Sequence, residues 1–257
     1  MPEAAVAGGA AAGAGRADPA SRLELARGLL RRIEDRSGSV RPAAVPEADG
    51  RVLPVAEPLA RLLPAGGLRR GSTVALPEAP GATSLLLALL SAASADGAWA
   101  GVVGRPGLGL VATAEAGVRL ERLALVPDPG ADLVAVTAAL LDGMDVVAVS
   151  GAARAGVRAA DRQRLAARAR QRGAVLLALG AWPGADIELS CSDTRWHGVG
   201  AGAGRLCARQ VAVHVRGRGV ARSGQEGRLL LPGPRGALGS VPGTVERLAA
   251  VPMEAAG

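Results

Sequence analysis

From Ser72 onward, short apolar runs alternate with longer Ala/Leu-rich stretches, and no other feature constrains the fold of this chain as tightly. The runs at 72–76, 99–103, 122–126, 145–149 and 174–179 predict strands, and the stretches at 82–94, 109–117, 131–141 and 159–172 predict helices. Strands separated by helices must be joined by crossovers. That demands an α/β fold with a mainly parallel sheet and helices on both faces. The runs VVAV at 146–149 and VLLAL at 175–179 are apolar at successive positions, as strands covered on both sides must be. Two later runs, 185–191 and 205–215, predict an antiparallel extension. In the second, Val211, Val213 and Val215 alternate with other residues.

The flanks read differently. Residues 1–18 are Ala/Gly low complexity and are predicted disordered. Residues 19–37 predict an N-terminal helix, with Leu23, Ala26, Leu29, Leu30 and Ile33 at helical spacing. Residues 38–52 read as a linker and 53–216 as the core, entered by a short helix over 53–63. The Arg/Gly/Pro-rich tail 217–257 is predicted disordered, with apolar stretches at 229–231 and 245–251 that could fold on a partner. The best membrane candidate, 84–95, falls short of the roughly 20 residues a span needs. The N-terminus lacks a basic region and a leucine-rich stretch, so it does not read as a secretory signal. A cytoplasmic protein is expected, with the nucleoid as an alternative location.

Composition removes several chemistries. The 30 basic residues are all arginine, set against 23 acids for a net charge of +7. Without lysine there is no Schiff base and no standard phosphate-loop lysine. Phe and Tyr are absent, so nucleic-acid bases have no Phe or Tyr platform to stack on. Cys191, Cys207, His197 and His214 are too few and too widely spaced for a zinc site. No metal is expected, and the cysteines read as buried structural residues.

The first predicted strand runs into Leu76-Pro77-Glu78-Ala79-Pro80-Gly81-Ala82-Thr83-Ser84 and then an apolar helix. Strand, tight turn and helix is the setting of a phosphate loop, in which backbone N–H groups and a helix N-terminus face the phosphates. Gly81 and Thr83 occupy the tail of the G-x-x-x-x-G-K-S/T pattern, with Ser84 next. The first glycine is replaced by Leu76 and the lysine by Ala82. A Pro/Gly turn capping a helix with Thr or Ser accounts for the same residues without any ligand.

With its surroundings, the segment resembles the core of RecA recombinases, a phosphate-loop NTPase fold. Gly66-Gly67-Leu68 and Gly71 match that family's GGL-x-x-G approach. Pro77, Glu78, Gly81 and Thr83 match its G-P-E-x-x-G-K-T loop, and Asp145-Val146-Val147 fits its later metal-binding strand. The likeness covers roughly half the chain, residues 50–180. It also places the family's three charged catalytic positions at altered residues. The loop lysine falls at Ala82, the water-activating glutamate at Arg105 and the magnesium-organising aspartate at Ser150. Phosphoryl transfer depends on positioning and on stabilising developing charge, and these substitutions remove the groups that do both. The resemblance therefore implies a RecA-like core with no catalytic residues and no required cofactor. A residual nucleotide loop of Pro77, Glu78, Gly81, Thr83 and Ser84 leaves room for weak ATP binding.

The arginine-rich, catalytically altered core further resembles the actinobacterial RecA-like, ImuA-type mutagenesis accessory proteins. That likeness implies a non-enzymatic scaffold in DNA-damage-induced translesion synthesis, part of the SOS response and DNA repair. The implied partners are an ImuB-like Y-family polymerase and an error-prone C-family polymerase. Two alternatives stay open: a divergent DNA-dependent ATPase of recombination, and a RecA-fold binding protein unrelated to DNA.

Candidate DNA or partner contacts are Arg69, Arg70, Arg164, Arg168, Trp196 and His197. Arg164, Arg168 and Arg172 share a helix face, either as a solvated surface or as a patch for phosphates or acidic partners. Trp196 and His197 lie in the polar run 192–198, read either as a turn between strands or as a docking hot spot.

Overall fold

The computed structural model describes residues 51–200, 203–220 and 224–241. The predicted disordered segment 1–18, the helix 19–37, most of the linker and the stretch 245–251 lie outside the described residues.

The described elements, in chain order, are β1 (Val52–Pro54), α1 (Glu57–Ala60), β2 (Gly67–Arg69), β3 (Thr73–Leu76), α2 (Ala82–Ala95), β4 (Ala100–Val103), α3 (Leu110–Glu115), β5 (Leu123–Val126), α4 (Leu133–Gly143), β6 (Val146–Val149), α5 (Ala159–Arg172), β7 (Val175–Leu179), β8 (Ile187–Gly200), β9 (Ala203–Gly217), β10 (Gln225–Leu230) and β11 (Gly239–Ser240). The main sheet runs β11-β10-β9-β8-β3-β7-β6-β4-β5. Pairing is parallel from β8 through β3, β7, β6 and β4 to β5, and antiparallel from β8 outward to β11. The mixed α/β architecture with a mostly parallel sheet and an antiparallel extension is therefore present.

Alternate residues of each central strand feed two cores. Val74 and Leu76 of β3 join α2, α1 and the β1–β2 pair on one face, while Ala75 joins α4 and α5 on the other. The same alternation divides Val146 and Ala148 from Val147 and Val149 in β6. This is why these strands are apolar at every position. Leu85 to Leu90 of α2 are all buried, since the helix is enclosed by the sheet, the β1–β2 pair and the segment around Leu231.

Two expectations are corrected. Residues 53–63 were expected to be one short helix, but the chain forms β1 first and α1 only from Glu57. Pro54 holds its predecessor extended and Pro58 fits a first helical turn, so the break falls between them. The tail expected to be disordered from Gly217 instead supplies β10 and β11. β10 pairs with β9 from Gln225↔Val215 to Leu230↔Gln210, and Leu229 and Leu231 enter the α2-side core.

Candidate functional site

β3 ends at the centre of the sheet between β7 and β8, and five residues separate it from the start of α2. The chain leaves β3 through α2 on one face. It leaves β7 through the 180–186 loop, whose Trp182 packs into the core on the opposite face. In open α/β sheets, ligands bind outside the carboxyl ends of strands where such connections diverge. The residues that resemble a phosphate loop stand at that place.

Their surroundings differ from an open anion cradle. Ala82 is 6% exposed, and its N–H donates to the Ala79 carbonyl at 3.0 Å. Gly81 caps α2 at φ +109°, and a Cβ there would lie 3.2 Å from Cys191 Cβ and 3.3 Å from its Sγ. β8 is thus pressed directly against the loop. Each loop hydroxyl accepts a hydrogen bond from an arginine. Arg105 Nη2 donates to Thr83 Oγ1, and Arg209 Nη2 donates to Ser84 Oγ at 2.8 Å. Arg209 also donates through Nε to the Leu231 carbonyl at 2.7 Å, and its guanidinium lies 5.1 Å from the Trp196 ring centre. Burial lowers the Arg209 pKa, and Cys191 opposes that shift. Burial likewise pushes the Cys191 thiol up to about 11, with the Arg209 charge pulling the other way.

Ser150 closes β6 and is 1% exposed, with its N–H donating to the Val103 carbonyl at 2.9 Å. It lines a shallow cleft with Gly104, Pro106, Asp128 and Arg154 at the carboxyl ends of β4, β5 and β6. Ala82, Arg105 and Ser150 therefore lie at one end of the sheet, with Pro77, Glu78, Gly81, Thr83 and Ser84.

The other candidates disperse. Arg69 is exposed at the end of β2. Arg70 Nη1 bonds Asp145 at 2.8 Å at the opposite, amino end of the parallel strands, and the same carboxylate accepts from the Trp99 N–H at 2.9 Å. Arg70 thus ties two strand starts together. Arg164 pairs with Asp161 on its own helix at 3.5 Å. Arg168 grips Asp142 of α4 with Nε and Nη2, and Arg172 adds a third bond at 2.9 Å. Hydrogen bonding from Arg168 leads the effects that hold the Asp142 carboxyl below its ordinary range. The arginine face of α5 is in large part a clamp between helices. Among the described residues no group of three His, Cys, Asp or Glu side chains could hold a metal.

Trp196 and His197 were placed in a polar run read as a turn between strands. They sit instead inside β8, which continues to Gly200. Trp196 pairs with Arg209 across the ladder, and His197 Nε2 lies 3.2 Å from Gln210 Oε1. Arg209 joins Trp196 to Ser84, and the sequence reading missed it. The signal was there in part: Arg209 continues the stripe of Val211, Val213 and Val215, so an arginine falls on the core-facing side of β9.

Residues 61–184 match a family described as the MT3502 N-terminal domain. That span runs from the end of α1 through β7 and includes the loop, Arg105 and Ser150, but leaves out β8–β11. An uncharacterized protein of Mycobacterium tuberculosis strain H37Rv, Rv3395c, is 41% identical over 138 residues. The match covers 53% of this chain and 61% of that protein, so the chain spans about three fifths of the length of the relative. No described helix is long and apolar enough to cross a membrane.

Proposed function

We propose that this chain is a RecA-like accessory protein that binds partners in damage-induced translesion synthesis and does not hydrolyse ATP. One observation carries the reading. At the loop after β3, a buried Ala82 stands where a phosphate-contacting lysine would be, and both neighbouring hydroxyls are held by arginines. A nucleotide would have to displace Arg105 and Arg209 from Thr83 and Ser84. It would then find no acid at Ser150 to organise a metal and no base at Arg105 to activate water. The placement of the loop at the centre of a parallel sheet supports the RecA-like part of the reading. The polymerase partners rest on the sequence resemblance to ImuA-type proteins, and fold alone does not specify them.

The test is capture of a Y-family-like polymerase by the full chain and by a chain ending at residue 241. Cutting at 217 would strip β10 and the buried Leu229 and Leu231 from the core, whereas a cut after 241 leaves them in place. Capture by the full chain alone assigns the contact to 242–257, and capture by both assigns it to the folded core. Capture by neither overturns the translesion reading.

A divergent DNA-dependent ATPase is the second reading. It is favoured by Arg105 and Arg209, which bring two cations to the loop that lacks lysine. ATP hydrolysis above background that disappears in Thr83→Ala would establish it and overturn the non-hydrolysing reading.

A further inference from the structure

β8 and β9 carry a second constellation on the sheet face opposite to the loop. Ser192 Oγ lies 2.7 Å from His214 Nε2, and His214 Nδ1 lies 3.3 Å from Glu226 Oε2. Three adjacent strands supply one residue each. His214 is the direct ladder partner of Glu226, and it is diagonal to Ser192, whose own partner is Ala212. Immediately after Ser192 the ladder slips, so that Asp193 and Thr194 together oppose one residue of β9. Asp193 takes φ +47°, and it is a non-glycine residue in the left-handed region. Such bulges increase local twist and re-aim the adjacent side chain. Among the described residues, none from β8, β9 or β10 belongs to the core under α4 and α5.

We propose that Ser192, His214 and Glu226 form a nucleophilic triad that accepts acyl groups from small activated esters. A carboxylate facing Nδ1 favours the tautomer with its proton there, which leaves Nε2 to accept the serine proton. In the step, Ser192 Oγ forms a bond to the ester carbonyl carbon. His214 Nε2 takes the hydroxyl proton and passes it to the departing alkoxide as the carbon–oxygen bond breaks, giving acyl-Ser192 and an alcohol. Water then attacks the acyl group with His214 as base, releasing the acid and restoring the serine. Ser192 and His214 are the catalytic residues, and Glu226 is a positioning residue that acts through the imidazole. Selectivity would be for small, reactive acyl donors. Arg228, two residues beyond Glu226, sits across Ala212 from Ser192 and favours donors that carry a negative group.

A ladder that serves only stability has the same distances, so the test reads covalent chemistry as well as folding. The full chain is treated with a fluorophosphonate, which forms an Oγ–phosphorus bond with loss of fluoride, and the adduct is located by peptide mass spectrometry. The expected result is an adduct at Ser192 that is lost in Ser192→Ala. His214→Gln should slow labelling by about 100-fold or more, the scale of a positioned base. Glu226→Gln should slow it by a smaller factor, and Glu226→Asp should recover part of the loss. Melting temperatures measured alongside separate these effects from unfolding. Should His214→Gln not fold, the Glu226 pair carries the comparison. No adduct at Ser192 under conditions that label a serine esterase overturns the proposal. So does labelling that neither His214→Gln nor Glu226→Gln changes.

Discussion

Gly104 links Arg105 to Ser150, and replacing it tests how tightly the two are held. The residue precedes Arg105, has φ +75°, and a Cβ there would stand 2.3 Å from the Ser150 carbonyl oxygen. Two costs follow for Gly104→Ala. The left-handed conformation costs about 1–2 kcal/mol for a residue with a Cβ. The contact adds about 1–3 kcal/mol of overpacking, because a backbone oxygen cannot turn aside as a side chain can. The sum, about 2–5 kcal/mol, corresponds to a fall in melting temperature of about 4–20 °C for a chain of this size. Two controls isolate the terms. Gly156 has φ +64° with nothing within 4 Å, so Gly156→Ala should cost only the conformational part, about 1–2 kcal/mol. Gly107 meets nothing within 4 Å and has no positive φ, so Gly107→Ala should be neutral or stabilising by up to about 1 kcal/mol. Urea titrations of the three variants provide the free energies. If Gly104→Ala costs no more than Gly156→Ala, the close approach of β4 to the end of β6 is refuted.

Three further outcomes are expected. Asp142→Asn should cost up to about 1 kcal/mol at neutral pH, as its partners Arg168 and Arg172 are about half exposed. The native Asp142 pKa is depressed below 3.8, so its contribution is present above that pH and is lost as pH falls through the lower native value; urea titrations of wild type and variant should converge there. Iodoacetamide at pH 8 should alkylate exposed Cys207 while sparing Cys191, whose thiol is held protonated up to about 11, and mass spectrometry should find both modified only after denaturation. Arg209→Met should cost about 1–3 kcal/mol by leaving Ser84 and the Leu231 carbonyl without their donor, and should shift tryptophan emission through Trp196.

The parallel half of the sheet was legible because burial on two faces leaves a mark at every residue. β6 and β7 are apolar throughout, and the bounds predicted for their neighbours differ from the observed ones by a residue or two. β9 was legible for a related reason, since its valines alternate. β10 was not legible. Its sequence, QEGRLL, buries only Leu229 fully and includes Gly227, where a Cβ would stand 2.9 Å from the Leu62 methyls. A strand near the sheet margin, held in register by a long neighbour, needs little apolar signal of its own. The loop positions Ala82, Thr83 and Ser84 were legible because they are contiguous. Arg105 and Arg209 as their partners were not, since a hydrogen bond across 22 or 125 residues leaves no local pattern. The Ser192, His214 and Glu226 set was invisible for the same reason: it depends on a bulge and on two ladder registers.

Both constellations follow from a single register choice. On β9, odd-numbered residues from Arg209 to Val215 face α2 and the loop, while Gln210, Ala212 and His214 face the other way. A slip of one residue would expose Val211, Val213 and Val215, each fully buried, and would turn His214 and Gln210 inward. The three valines make such a slip costly, at about 1.5–3 kcal/mol for each side chain returned to water. The valine stripe therefore holds more than the core. It sets Arg209 at Ser84 on one face and His214 between Ser192 and Glu226 on the other. A substitution that loosened the stripe should disturb both sites together, although no side chain joins them.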